Sequence, residues 1–154
     1  MKHSGIQRIV LGAFAAGLVL SFSACSSMFT PKYRDDSGQV TASATINSSA
    51  LQVGDCILSI SNTTSNVGSL TVVPCDTAHE AEVYAVSDSM NNSEDVMKQY
   101  CKDQYPGYIG VSWDNSGLQV TMIHAGASKA TTVVQCIVYA EGKQVSISYK
   151  GSQQ

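Results

Sequence analysis

From Leu51 onward the chain alternates apolar and polar positions in short runs broken by turn residues, the pattern of strands on a small sheet. Gly54-Asp55 is a turn signal, and Cys56 to Ile60 after it reads as a strand. Ser61 to Gly68 is a polar loop, and Ser69 to Val73 is the return strand, stopped by Pro74. Glu80 to Val86 reads as a third strand, with Ala81, Val83 and Ala85 on one face and Glu82, Tyr84 and Val86 on the other. Both faces are partly apolar, which suits the middle of a sheet. Gly117 to His124 alternates again, with Leu118, Val120, Met122 and His124 on one side, and Ala125 to Ala130 is a turn of small residues. Thr131 to Ala140 is expected as the longest strand, joined across Glu141-Gly142 to a partner from Gln144 to Tyr149. In that partner Val145, Ile147 and Tyr149 face inward, as in a sheet with one wet face.

One segment has helical rather than strand periodicity. Val96, Met97, Tyr100, Cys101 and Tyr105 form an apolar stripe one helix face wide, with Lys98, Lys102 and Asp103 off it. Asn92 or Ser93 is the expected cap, Glu94 and Asp95 place negative charge in the first turn, and Pro106-Gly107 is the expected stop. Residues 108–116 then read as a connecting loop carrying Trp113. The predicted architecture is α+β: one helix packed on a small, mostly antiparallel sheet.

The first 50 residues follow neither pattern. Residues 1–24 have a basic start (Lys2, Arg8), an apolar run from Ile9 to Leu20, and small residues ahead of Cys25. The run is shorter than the roughly 20 residues of a bilayer span, so it reads as a cleaved lipoprotein signal peptide with Cys25 as the lipidated residue. The alternative is an ordinary secretory leader with an incidental Cys25. Residues 25–50 are rich in Ser, Thr and Asp and read as a flexible tether with a reach of about 25–30 Å. An edge strand from Val40 to Ile46 is the competing reading. Residues 51–150 form the domain, and 151–154 a tail. The expected location is the extracytoplasmic face of the cell membrane, held by the lipid on Cys25.

Charge and cysteine content narrow the chemistry. The 154-residue chain has nine basic and twelve acidic side chains, and losing Lys2 and Arg8 with the leader increases the acidic excess. An acidic mature form argues against nucleic acid as a partner. Beyond Cys25, Cys56, Cys75, Cys101 and Cys136 make an even set in an exported chain, the signature of two disulfides. Zinc is the rival reading, but no C-x-x-C pair is present, and no metal or other cofactor is expected.

Gly54-Asp55-Cys56, then Val73-Pro74-Cys75 with His79 and Glu82-Val83-Tyr84, then Cys101 and Cys136, resembles the septum-formation domain family of exported, often lipid-anchored actinobacterial proteins. The resemblance covers about residues 51–150. It departs from the family pattern at Ala78, where a proline is usual, and before Cys136, where a proline and a tryptophan are usual. It implies a link to cell division or envelope assembly and brings no reaction with it. Of the three possible connectivities, Cys56–Cys75 and Cys101–Cys136 are the expected pairs. The first would close a hairpin, and the second would pin the helix to the sheet.

The candidate binding residues are Asp55, His79, Glu82 and Tyr84. His79, Glu80 and Glu82 form a His/carboxylate cluster that would suit a weak metal or a basic partner. Against that, His79 can satisfy turn backbone and Glu82 can pair with a lysine. Asp55 and Asp76 suit Asx-type backbone bonds better than an acid/base pair. His124 reads as a strand-end residue. No nucleophile elbow and no Gly-rich phosphate loop is present. Two function classes follow. One is a non-enzymatic binding or scaffolding domain that engages an envelope protein or wall polymer. The other is an envelope hydrolase or metal-dependent enzyme using His79 and Glu82.

Overall fold

A computed structural model describes residues 32–60, 67–90, 93–125 and 132–154. The leader, Cys25, the start of the tether, the Asn92 cap and the turn at 126–130 lie outside the described residues, as does most of the loop after Ser61. Six strands are described: β1 (Ala44–Asn47), β2 (Cys56–Ile57), β3 (Ser69–Val73), β4 (Ala81–Met90), β5 (Gln119–Ala125) and β6 (Thr132–Tyr139). They form one antiparallel sheet in the order β1-β3-β2-β4-β6-β5. A single described α-helix, α1 (Glu94–Ile109), packs on β4, and short 3-10 turns lie at Ser48–Ala50 and Trp113–Asn115. The α+β architecture and both expected disulfides, Cys56–Cys75 and Cys101–Cys136, are present.

The sheet curls, so its two faces bury separate cores. One face gathers Ile46, Leu51, Ile57, Val72, Val83, Ile123 and Ile137. The other meets α1 through Tyr84, Ala85, Met97, Cys101, Tyr105, Tyr108 and Val138. A bulge in β4 sets which side chains go where. Val83 pairs with Ile137, but Ala85 pairs with Cys136, so Tyr84 and Ala85 both turn toward the helix and Val86 returns to the other core. The expected grouping of Ala85 with Ala81 and Val83 is therefore corrected. One extra residue reverses the inside–outside parity of everything after it.

The helix runs past its expected stop. Pro106 lies inside α1, and the apolar stripe continues through buried Tyr108 and Ile109, while Val96 points outward. A proline removes one N–H and disturbs the carbonyl one turn back, which belongs to exposed Lys102, where water can solvate it. Gly110, at φ 97°, supplies the left-handed C-cap, its N–H donating to the Pro106 carbonyl at 3.0 Å. Two more carbonyls of the last turn are satisfied from the chain's end. Gly151 N–H donates to Tyr108 O at 2.8 Å, and Gln153 N–H donates to Ile109 O at 3.0 Å. Residues 151–154, read as a tail, are thus the cap of the helix.

Three further expectations are corrected. The described part of the tether is folded: β1 pairs with β3, Val40 and Ile46 are buried, and the competing edge-strand reading holds for Ala44–Asn47. The partner strand after Gly142 does not form. β6 is already flanked by β4 and β5, and from the 144–149 segment Val145 makes an isolated bridge to His79. In the same segment Tyr149 is buried while Ile147 is exposed. The longest described strand is β4, not β6.

Arg34 explains why residues before Leu51 fold back. Its guanidinium grips Asp55 bidentately, at 2.5 and 2.6 Å, and also donates to Gly38 O at 2.9 Å. Both side chains are nearly buried, so removing one partner strands the other's charge in a dry site, at a cost of about 3–5 kcal/mol. Arg34→Met should lower unfolding stability by that amount in urea titration. The double variant with Asp55→Asn should recover part of the loss, because no lone charge remains. A loss below about 1 kcal/mol would show that the segment docks without the ion pair.

Candidate functional site

The β2–β4 register creates the polar centre of the domain. Cys56 lies directly opposite Glu82, and directly opposed residues of an antiparallel pair share a face. Gly54, at φ 93°, turns the chain into β2 and donates its N–H to Val83 O, while Val83 N–H returns a bond to Asp55 O. Three sequence-predicted residues, Asp55, His79 and Glu82, thereby become buried neighbours of one junction.

Glu82 is fully buried on the helix side of the sheet. Its Oε1 accepts from the Tyr108 hydroxyl of α1 and from Ser148 Oγ at 2.6 Å, and its Oε2 accepts from Tyr149 N–H at 2.5 Å. Three donors on one carboxyl group is the coordination that an ionised, buried acceptor requires. The lysine pairing expected for Glu82 is replaced by these neutral donors. The Lys150 ammonium instead sits 6.0 Å from the Tyr108 ring. Burial, and then the Glu82 carboxyl group, push the Tyr108 phenol well above its ordinary value.

His79 is also fully buried. Its N–H and C=O exchange 2.9 Å bonds with Val145, and Nδ1 lies 2.8 Å from Thr77 O. An Nδ1–H donor satisfies that carbonyl and leaves Nε2 as a lone-pair acceptor, which finds no hydrogen-bond partner among the described residues. The Tyr149 ring stands edge-on to it at 6.3 Å. Ligand-capable atoms of Cys56, His79 and Glu82 all lie within 4.8 Å of one another. Cys56 is in a disulfide, so its sulfur is not a thiolate in this state. Glu80 takes no part: its carboxylate accepts from Ser59 Oγ and Ile60 N–H at the other end of β2.

The remaining candidates separate. Asp55 accepts from Gln52 N–H at 2.8 Å, the backbone role expected of it, and adds the ion pair with Arg34. Tyr84 is a core residue, its hydroxyl donating to Cys101 O at 2.9 Å and its ring meeting Tyr105 edge-on at 5.5 Å. Cys101–Cys136 ties α1 to β6, as the helix stripe implied. A cleft of about 280 Å³ runs over Gly54, Asp55, Cys75, Glu82, Tyr108 and Ser148, so the buried centre has one wall toward solvent.

A larger groove, about 560 Å³, lies between α1 and β5. Val120 and Met122 form its floor, Trp113 stands half-buried in its lining, and Glu94, Lys98, Gln99 and Lys102 line the helix side. Trp113 is held by an edge contact with Tyr105, at 5.6 Å between centroids. Sequence reasoning missed this groove and also missed Arg34, Tyr108 and Ser148. Arg34 alone carried a signal, being the only arginine after Arg8. The chain matches no family model, no curated protein and no solved structure.

The buried phenols set an alkaline limit. Burial raises Tyr84 and Tyr108 above the ordinary value of 10.0. Below about pH 10 both folded and unfolded chains keep these protons, and the stability is undiminished. Above it the unfolded chain loses protons that the folded one retains, so stability falls as pH rises. Urea titrations from pH 8 to about 11.5 should show this decline, and Tyr84→Phe should flatten it. Titration of all seven tyrosines near pH 10 with the fold intact would contradict it.

Proposed function

We propose that this protein is a lipid-anchored binding or scaffolding domain on the extracytoplasmic face of the membrane, engaging an envelope protein or wall polymer. The observation that carries the reading is a contrast within the fold. The ionisable groups that might do chemistry are used internally, whereas the groove between α1 and β5 offers an apolar floor, an indole and exposed polar side chains. Apolar anchors with a polar rim are the usual make-up of a recognition surface. The edge position of β5 adds a further means, since an extended segment can pair with a sheet edge.

The hydrolase or metalloenzyme alternative requires His79 and Glu82 to meet a substrate. Both are fully buried, and the Glu82 oxygens are already shared among three donors. The resemblance to the septum-formation domain family supports a role in septum formation or envelope assembly, and the Ser-Ala-Cys25 leader pattern supports the anchor.

A photoreactive amino acid at Lys102 in the groove, compared with one at exposed Glu141, tests this in intact cells. The Lys102 probe should yield a discrete adduct to an envelope component that the Glu141 probe does not. Cys25→Ala should abolish the adduct by releasing the protein or leaving it unprocessed. Equal labelling from both positions, or membrane retention of a processed but unacylated Cys25→Ala product, would contradict the reading.

A further inference from the structure

The geometry points to a metal site that opens when the Cys56–Cys75 disulfide is reduced. Its ligands are the Cys56 and Cys75 thiolates, His79 Nε2 and the Glu82 carboxylate, and the metal is of the zinc class. The site goes beyond the binding role proposed above and uses residues on the opposite side of α1 from none of the groove's lining chemistry, sharing no residue with it.

Four observations converge. The ligand atoms of Cys56, His79 and Glu82 already lie within 4.8 Å of one another. Zinc–ligand bonds of about 2.0–2.3 Å place tetrahedral ligands about 3.3–3.8 Å apart, so a contraction of about 1 Å completes the set. His79 Nε2 is a fully buried acceptor without a partner among the described residues, and Nδ1 on the Thr77 carbonyl fixes the ring as an outer-sphere bond fixes a ligating imidazole. Glu82 is likewise oriented by Tyr108, Ser148 and the Tyr149 amide. Finally, Cys75 is half-buried and lines clefts on two sides, which gives both a reductant and an ion a path in. Two sulfurs with one imidazole and one carboxylate suit zinc and exclude calcium or magnesium, which take oxygen ligands.

The reductant is a dithiol. Its first thiolate attacks Cys75 Sγ, a mixed disulfide forms there, and Cys56 leaves as a thiolate. The second thiolate of the reductant attacks its own sulfur in the mixed disulfide, closing the oxidised reductant and releasing the Cys75 thiolate. Two electrons pass to the protein, and the metal takes the place of the protons the two thiolates would otherwise bind. Cys101–Cys136 is buried at both ends and is the less accessible of the two bonds. Reduction thus exchanges a covalent link between the β2 and Pro74 segments for a coordinate one.

Cobalt(II) tests this with the full chain purified in detergent. The oxidised protein should give no thiolate-to-cobalt charge-transfer band, and zinc should leave its melting temperature unchanged. After dithiol treatment one equivalent of cobalt should give that band, and zinc should bleach it. His79→Ala should weaken the reduced protein's affinity by more than the roughly 100-fold that losing an outer-sphere partner costs. Cys75→Ser keeps the Cys56 thiol and needs no reductant, and it should show a weaker band that also depends on His79. If the reduced protein loses its near-ultraviolet circular dichroism, zinc should restore it. The proposal is overturned by cobalt affinity indifferent to His79→Ala, by equal binding to the oxidised protein, by no thiolate band in Cys75→Ser, or by a reduced state that zinc does not refold.

Discussion

The fold depends on one buried carboxyl group. Glu82 sits in β4 on the helix side of the sheet, where an unsatisfied charge or acceptor would cost several kcal/mol. Its donors come from two other parts of the chain: the Tyr108 hydroxyl from the end of α1, and Ser148 Oγ with the Tyr149 amide from the C-terminal segment. Once Tyr149 is held there, Gly151 and Gln153 reach the last carbonyls of α1 and cap it. Sheet, helix end and C-terminal segment are therefore tied at a single side chain. Around this knot the two disulfides restrain the unfolded chain, each contributing about 3–4 kcal/mol for loops of their length.

This knot divides the molecule functionally. The His79, Glu82 and Asp55 positions, which look chemical in sequence, are organised toward the interior. The surface left for recognition is the groove that α1 makes with the edge strand β5, framed by Trp113 and Met122. The arrangement fits a domain that presents a rigid face near a membrane more readily than one that turns over a substrate. Arg34 has a related part. By gripping Asp55 it draws the segment before β1 onto the domain, so less of the chain ahead of it is left to act as a spacer.

Local patterning made most of the elements legible. Period-2 runs located β3, β4, β5 and β6, the apolar stripe located α1, and the inward position of Cys101 anticipated its bond to Cys136. What was not legible came from contacts distant in sequence. The segment before Leu51 looks like a spacer by composition, and only the ion pair from Arg34 to Asp55 and the pairing of β1 with β3 make it part of the fold. Pro106 reads as a stop because the sequence does not show Gly151 and Gln153 arriving to satisfy the turn beyond it. The 144–149 run alternates like a strand, yet Glu82 captures the Tyr149 amide and Val145 bridges to His79 instead. The bulge at Tyr84–Ala85 has no composition signal at all, and it decides that Tyr84 belongs to the core and not to a site.

Native-state hydrogen exchange in Glu82→Gln tests the knot most directly. The amide oxygen of the variant can still accept a bond, but its NH2 confronts donors, so the C-terminal segment should detach while the sheet persists. The account predicts that the Tyr149, Gly151 and Gln153 amides, protected together in the native protein, become exchangeable together through a local opening, with β4 and β6 still exchanging only on global unfolding. Unchanged protection at Tyr149, Gly151 and Gln153 in Glu82→Gln would contradict it.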